Sequence, residues 1–204
     1  MLEFYTAQSS NGQRVAIMLE ECALPYRVHV LDLFKGEQHS TEYLQVNPAG
    51  QIPAIIDPEG PDGQPFALAQ SSAILLYLAE KTGKFLPVDT YRRATAYQWL
   101  MQAVTDVAAS SASIFLLTRI VPEKSPANVT FFEERLVRFL RLADAQLAAR
   151  EYLADELSLA DFALYPICAV RRELIERAGQ LSNLTRWMSA LADRPAISRA
   201  MQAA

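Results

Sequence analysis

Asn47-Pro48-Ala49-Gly50-Gln51-Ile52-Pro53-Ala54-Ile55-Ile56-Asp57 is the stretch that decides the fold. The first four residues read as a turn. Ile52 to Asp57 read as a strand. Pro53 sits awkwardly there, because proline cannot donate a ladder hydrogen bond and a central strand normally avoids it. Two arrangements accommodate it. One is an ordinary trans proline at a strand start. The other is a cis Ile52–Pro53 bond, which would turn the Ile52 backbone outward and leave its N–H and C=O to pair with an extended peptide.

Working outward, Leu2 to Thr6 is a short strand and Ala7 to Ser10 a loop. Asn11 to Ala23 carries Val15, Ile17, Met18, Leu19 and Cys22 at helical spacing, with Ser10 or Asn11 as its cap. Tyr26 to Leu33 reads as a second strand and Glu37 to Val46 as a weaker helix. Downstream, Pro58 to Pro65 is a hairpin loop, Phe66 to Ala69 a fourth strand, and Ser71 to Thr82 a helix with Ile74, Leu75, Tyr77 and Leu78 on its apolar side. The order is βαβ followed by ββα, an α/β unit with a mixed four-stranded sheet over residues 1–83. Residues 84–90 form a linker. Beyond it no strand pattern recurs. Tyr91 to Ile120, Ala127 to Glu151, Leu159 to Glu176, Leu181 to Ala192 and Ala196 to Met201 are helical, giving an all-α domain over residues 91–204.

Composition narrows the function. Of 204 residues 51% are hydrophobic, enough for a real core. The net charge is -4 with no Lys/Arg block, which argues against nucleic acid or an anionic membrane as partner. The N-terminus reads as a strand and not as a signal peptide. The most apolar stretch, Ala67 to Ala79, contains Gln70, Ser71 and Ser72 and is too short to cross a bilayer. Cys22 and Cys168 form no CxxC and read as buried small side chains, so the cytoplasm is the expected compartment. His29 and His39 lack Cys or carboxylate neighbours at ligand spacing, so no metal is expected.

Three polar signals fall at one edge of the expected sheet. The first is the Gln51-Ile52-Pro53 backbone. The second is Gln70-Ser71-Ser72-Ala73 at a helix start, where N–H groups and a small hydroxyl suit a carboxylate. The third is Ser9-Ser10-Asn11-Gly12 after the first strand, where α/β folds bind ligands. Each alone also reads as a turn or a helix cap. Together they fit a γ-glutamyl peptide with a thiol in its middle.

Ser10-Asn11-x-x-Arg14-Val15 after a strand, Asn47-Pro48-x-Gly50-x-Ile52-Pro53, and Gln70-Ser71-x-Ala73-Ile74-x-x-Tyr77-Leu78 resemble the glutathione transferase superfamily. So do Leu157-Ser158-Leu159-Ala160-Asp161, a capping box that in this family supports folding, and Arg194-Pro195. The resemblance spans essentially the whole chain. It is strongest to bacterial forms related to the disulfide-reducing Thr/Asn class. It implies a thioredoxin-like first domain that binds glutathione as co-substrate and a helical domain for the second substrate. Ile52 would pair with the cysteinyl backbone, with Pro53 cis. Gln70 and Ser71 would hold the γ-glutamyl end. Gln38 and Gln51 would face the glycyl end, with Lys35 a weaker candidate. Ser9 takes the catalytic position near the sulfur, with Asn11 as second donor and Ser10 beside them. Met101, Thr105, Phe115 and Arg119, with Thr118, would line the second pocket. Asp106 could reach a partner subunit's ligand in the homodimer that the family implies.

The chain also departs from the pattern. Many bacterial relatives have Glu where Gln70 stands, so a charge pairing with the ligand's amino group is lost. The Ser9–Ser10 loop offers no thiol. Tyr5 lies within a strand and reads as structural. The reading that follows is conjugation of glutathione to small electrophiles. The alternatives are glutathione-dependent disulfide or peroxide reduction, isomerisation of an unsaturated diacid (disfavoured because Asn11 replaces a Cys), and a non-catalytic scaffold on the same fold.

Overall fold

The computed structural model describes residues 1–203. It divides into two units: Met1–Lys84 joined by the segment from Asp193 onward, and Phe85–Ala192.

In the first unit, β1 (Leu2–Thr6), β2 (Tyr26–Val30), β3 (Ala54–Asp57) and β4 (Phe66–Ala69) form one sheet in the order β2-β1-β3-β4. β1 runs parallel to β2, with Leu2 opposite Tyr26, and antiparallel to β3; β4 is antiparallel to β3. The alternation of β1 buries Leu2, Phe4 and Thr6. The second strand ends at Val30 and not at Leu33, because the chain turns at Asp32, whose Oδ1 accepts from the N–H groups of Phe34 and Lys35.

Helix α1 (Ser10–Cys22) buries every residue from Gly12 to Leu19. It packs against α3 (Ser71–Thr82) and α10 (Pro195–Ala203). The helical domain expected to run to residue 204 therefore loses its last helix to the first unit. The cause is electrostatic as well as apolar. Arg194 forks onto the Glu21 carboxylate at 2.6 and 2.7 Å, Arg199 reaches Glu20 at 2.8 Å, and Ile197 and Ala200 are buried. The weak helix over Glu37–Val46 resolves into a 3₁₀ turn, Glu37–His39, and α2 (Thr41–Val46), restarted by Ser40, whose Oγ accepts from the Tyr43 N–H. β3 and α3 are pinned by buried Asp57, whose Oδ2 accepts from Tyr77 and Lys81 at 2.6 Å each. Burial pushes the Asp57 carboxyl up. Lys81, Tyr77 and the Glu59 N–H outweigh it and hold the group below its ordinary value.

The second unit is helical: α4 (Thr90–Met101), α5 (Ala108–Phe115), α6 (Pro126–Leu147), α7 (Leu159–Val170), α8 (Arg172–Ala178) and α9 (Ser182–Ala192). α4 and α5 belong to one 31-residue helical run, Thr90–Ile120, interrupted by π turns at Gln102–Val107 and Leu116–Ile120. Among the described residues this run is the one helix long and apolar enough to cross a bilayer, by length and composition. Here it is a wall of the helical unit: α4 packs on α7 and α5 on α6, and Asp106 pairs with Arg135 of α6 at 3.2 Å.

The single helix expected from Leu159 to Glu176 breaks at Arg171. Its guanidinium donates to the Ser111 Oγ and carbonyl at 2.9 and 2.6 Å, with φ -104 and ψ 21 at the break. The start of α7 carries the expected capping box. Buried Asp161 accepts from the N–H and hydroxyl of Ser158, the Leu153 N–H and the Trp187 indole.

Candidate functional site

The loop after β1 delivers three of the expected residues. Ser9 is the N-cap of α1: extended at φ -158 and ψ 153, it accepts from the Gly12 N–H at 3.1 Å. With a lone pair so engaged, the Ser9 hydroxyl keeps its hydrogen to donate elsewhere. Ser10 is the first residue of the helix, and Asn11 beside it is exposed. Gly12 lets the helix approach the strand, since a Cβ there would lie 2.1 Å from Thr6 Oγ1 and 2.9 Å from the Ala7 carbonyl oxygen.

The start of α3 supplies the second group. Gln70, exposed, occupies its N-cap position at φ 72 and ψ 114. A positive φ on a non-glycine residue costs on the order of 1–3 kcal/mol and collects at functional sites. Ser71 next to it is buried. The first N–H groups of α3 have no partner within the helix.

A residue the sequence reading quoted only as part of a motif joins these two groups. Arg14 is 2% exposed. Its Nη1 donates to Asn11 Oδ1 at 2.7 Å and to Ser71 Oγ at 3.2 Å. Burial lowers the pKa of its guanidinium to about 10, so it is still cationic at neutral pH. A signal was present in the sequence: Arg14 lies three and four residues before Ile17 and Met18, on the apolar face of the helix.

The third group is the Gln51-Ile52-Pro53 segment. The Ile52–Pro53 bond is cis. β3 begins at Ala54 and not at Ile52, and among the described residues no backbone hydrogen bond engages the Ile52 N–H or C=O. The segment is anchored one residue earlier. The Gln51 carbonyl accepts from the Tyr43 hydroxyl and from Asn47 Nδ2, both at 2.6 Å. Gly50, at φ +60, is required by conformation and by space: a Cβ would lie 2.7 Å from the His39 ring and 3.2 Å from the Gln38 carbonyl oxygen.

Gln38 is thus brought beside the turn. Its Nε2 donates to the Leu33 carbonyl at 3.3 Å, and its Oε1 is buried with no partner among the described residues. Lys35 is exposed and paired with Asp32 at 3.0 Å. Tyr5 stacks on His29, ring centroids 4.5 Å apart, within the sheet.

Met101, Thr105, Phe115 and Arg119 belong to the second unit, all exposed on the run from Thr90 to Ile120. Thr105 and Arg119 lie in its two π turns, a geometry frequent at functional sites. Thr105 and Thr118 turn their hydroxyls back onto the carbonyls of Met101 and Ile114. Asp106, considered for a partner subunit's ligand, is engaged by Arg135. Cys22 and Cys168 are buried, and burial pushes both thiols up. Among the described residues no cluster of three or more His, Cys, Asp or Glu side chains could hold a metal ion.

Comparison with known proteins gives a consistent picture. The family model "Glutathione S-transferase, N-terminal domain" matches residues 8–81, and "Glutathione S-transferase, C-terminal domain" matches residues 108–195. The disulfide-bond oxidoreductase YfcG of Escherichia coli is 34% identical, covering 98% of this chain and 94% of its own. A glutathione transferase structure from Pseudomonas putida, with one glutathione disulfide bound per subunit, superposes with a TM-score of 0.92 at 31% identity over 98% of this chain and 90% of its own. One from Burkholderia graminis, with two glutathione molecules per subunit, also gives 0.92, at 32% identity over 98% and 87%.

Proposed function

We propose, for a chain that belongs to the glutathione S-transferase superfamily, that its first unit binds glutathione and ionises the thiol for attack on a second substrate. The observation that carries this reading is the start of α1, where the capped Ser9 hydroxyl and Asn11 stand at the N-terminal end of the helix, the end that favours an anion. In this reading the Ile52 N–H and C=O pair with the cysteinyl residue. Gln70, Ser71 and the start of α3 take the γ-glutamyl carboxylate and amine. Gln51 and Gln38 face the glycyl end, and Ser10 stays at the margin of the thiol site.

The magnitudes suffice. A free thiol of pKa ~8.5 is only about 3% thiolate at neutral pH. Lowering that value by about two pH units requires ~2.7 kcal/mol of preference for the anion. One hydrogen bond to a charged group supplies ~1.5–3 kcal/mol, and a helix N-terminus ~0.3–1 kcal/mol. The hydroxyl donates and keeps its proton. The attack as written needs no metal.

Conjugation would form a bond between the thiolate sulfur and the electrophilic carbon of a small molecule held by Met101, Thr105, Phe115 and Arg119, as the leaving group (halide, for an aryl halide) departs with its electron pair, a detoxification chemistry. A second reading has specific support in the relatives named above: YfcG is a disulfide-bond oxidoreductase, and the two solved relatives hold glutathione disulfide or two glutathiones. There the thiolate attacks one sulfur of a disulfide, forming a mixed disulfide and expelling the other sulfur as thiolate. A second glutathione then resolves the mixed disulfide, releasing the substrate's remaining thiol and glutathione disulfide. No protein cysteine takes part, in keeping with the buried Cys22 and Cys168.

The same reading has the chain work as a cytoplasmic homodimer. The fully apolar Phe34 side chain, 97% exposed, and Val30, 63% exposed, support burial against a second copy. Calorimetric titration with glutathione and with its disulfide, followed by aryl-halide and disulfide-exchange assays, tests the reading. Binding with turnover of either substrate class is expected. Binding of neither ligand would leave a scaffold on this fold.

A further inference from the structure

We propose, resting on the glutathione reading above, that Arg14 is a positioning residue that makes Asn11 and Ser71 both face the ligand as hydrogen-bond donors. A guanidinium carries five N–H donors and no acceptor. The atom of Asn11 that meets Nη1 at 2.7 Å must therefore be the amide oxygen, and the two Nδ2 hydrogens are left on the other side. The same nitrogen meets Ser71 Oγ at 3.2 Å and occupies a hydroxyl lone pair, which leaves the Ser71 hydrogen for another acceptor.

One buried cation thus sets the polarity of two groups that stand at the starts of different helices. Glutathione brings an anion to each: the thiolate at the α1 loop and the γ-glutamyl carboxylate at α3. If Arg14 did not hold the carboxamide, Asn11 could rotate and offer its oxygen to the sulfur, which would repel the thiolate it is meant to stabilise. The depth of the charge points the same way. A cation this buried costs stability relative to a well-packed apolar side chain, and the helix face around it, Val15 to Leu19, is otherwise apolar. Arg14 acts through Asn11 and Ser71, so its removal must show in their behaviour.

The test uses the whole chain and glutathione itself. Calorimetry on the wild type comes first: no binding removes the glutathione reading and this proposal with it. Given binding, the thiolate absorbance of bound glutathione is titrated against pH in the wild type, Asn11→Ala, Arg14→Met and the double variant, alongside kcat/KM. Asn11→Ala and Arg14→Met are each expected to raise the thiol pKa by about one pH unit and to lower kcat/KM about 10-fold to 100-fold. In the double variant the loss should be no greater than in the worse single one, because both remove the same oriented donor.

Arg14→Lys, which keeps a donor-only cation, should restore most of the loss. Asn11→Asp keeps the bond to Arg14 but turns an acceptor toward the sulfur, so its bound thiol should titrate above that of Asn11→Ala. Additive losses in the double variant, or wild-type titration in Asn11→Asp, would overturn the proposal while leaving glutathione binding intact. If Arg14→Met does not fold, Arg14→Gln takes its place in the same double-variant cycle, since it keeps a polar side chain of similar length but loses the donor-only character.

Discussion

Ser9 has two roles in the proposed reading: its oxygen caps α1, and its hydrogen is left to donate to the sulfur. Ser9→Ala should therefore lower stability by about 1 kcal/mol through the lost cap and lower kcat/KM by about 10-fold to 100-fold through the lost donor. Thermal unfolding and steady-state kinetics on the same sample separate the two, and Ser9→Thr should keep both. Gln70 offers the opposite experiment. A carboxylate in its place would restore a charge-assisted bond to the ligand's ammonium, about twice as strong as the neutral one. Gln70→Glu should tighten glutathione about 3-fold to 10-fold by calorimetry, an advantage that salt should reduce. At this scale the sequence was informative about residue type and silent about geometry. Motif spacing marks Ser9, Ile52 and Gln70 as the residues to propose. The linking role of Arg14 was not legible, because it depends on α1 and α3 lying side by side. Nor was the positive φ of Gln70, since no glycine advertised it.

Elements were read well where local signals sufficed and less well where distant partners set their ends. β1, β4 and α3 fall where the alternation and the caps put them. The break between α7 and α8 does not, since Arg171 is drawn from helical geometry by Ser111, sixty residues away. The π turns within Thr90–Ile120 likewise carry no proline or glycine to announce them.

The clasp between β3 and α3 makes a prediction at this scale. The folded state holds Asp57 below its ordinary pKa, so its ionised form favours folding at all pH above about 4. That contribution is lost as pH falls through the lowered value. Asp57→Asn should reduce the unfolding free energy by about 1–3 kcal/mol at pH 7, and the gap from wild type should close below about pH 4. Denaturant melts at a series of pH values would show it. A gap that stays constant into acid would mean that the hydrogen bonds, and not the charge, hold the elements together.

Over the whole molecule, the two-part plan was legible because the strand pattern stops after residue 83 and never returns. The return of α10 to the first unit was not, because an amphipathic terminal helix reads alike whichever partner it covers. The prediction at this scale is a truncation. Ending the chain at Ala192 removes no residue of the expected glutathione site, yet it strips the Arg194–Glu21 fork and uncovers the apolar face of α1. Glutathione binding should be lost together with the first unit's cooperative melting, while the helical signal of residues 85–192 largely persists. Full-strength binding by the truncated chain would show that α10 is dispensable.

The same return has a consequence for how the chain is made. Residues 1–84 leave a ribosome with the entire sheet but without the helix that closes over α1. At synthesis rates of ~5–20 residues per second, the helical unit takes roughly 5–20 s to follow. Throughout that interval the nascent first unit shows an uncovered apolar face, and it is during those seconds, before any substrate is met, that the chain is most exposed to chaperones and to aggregation.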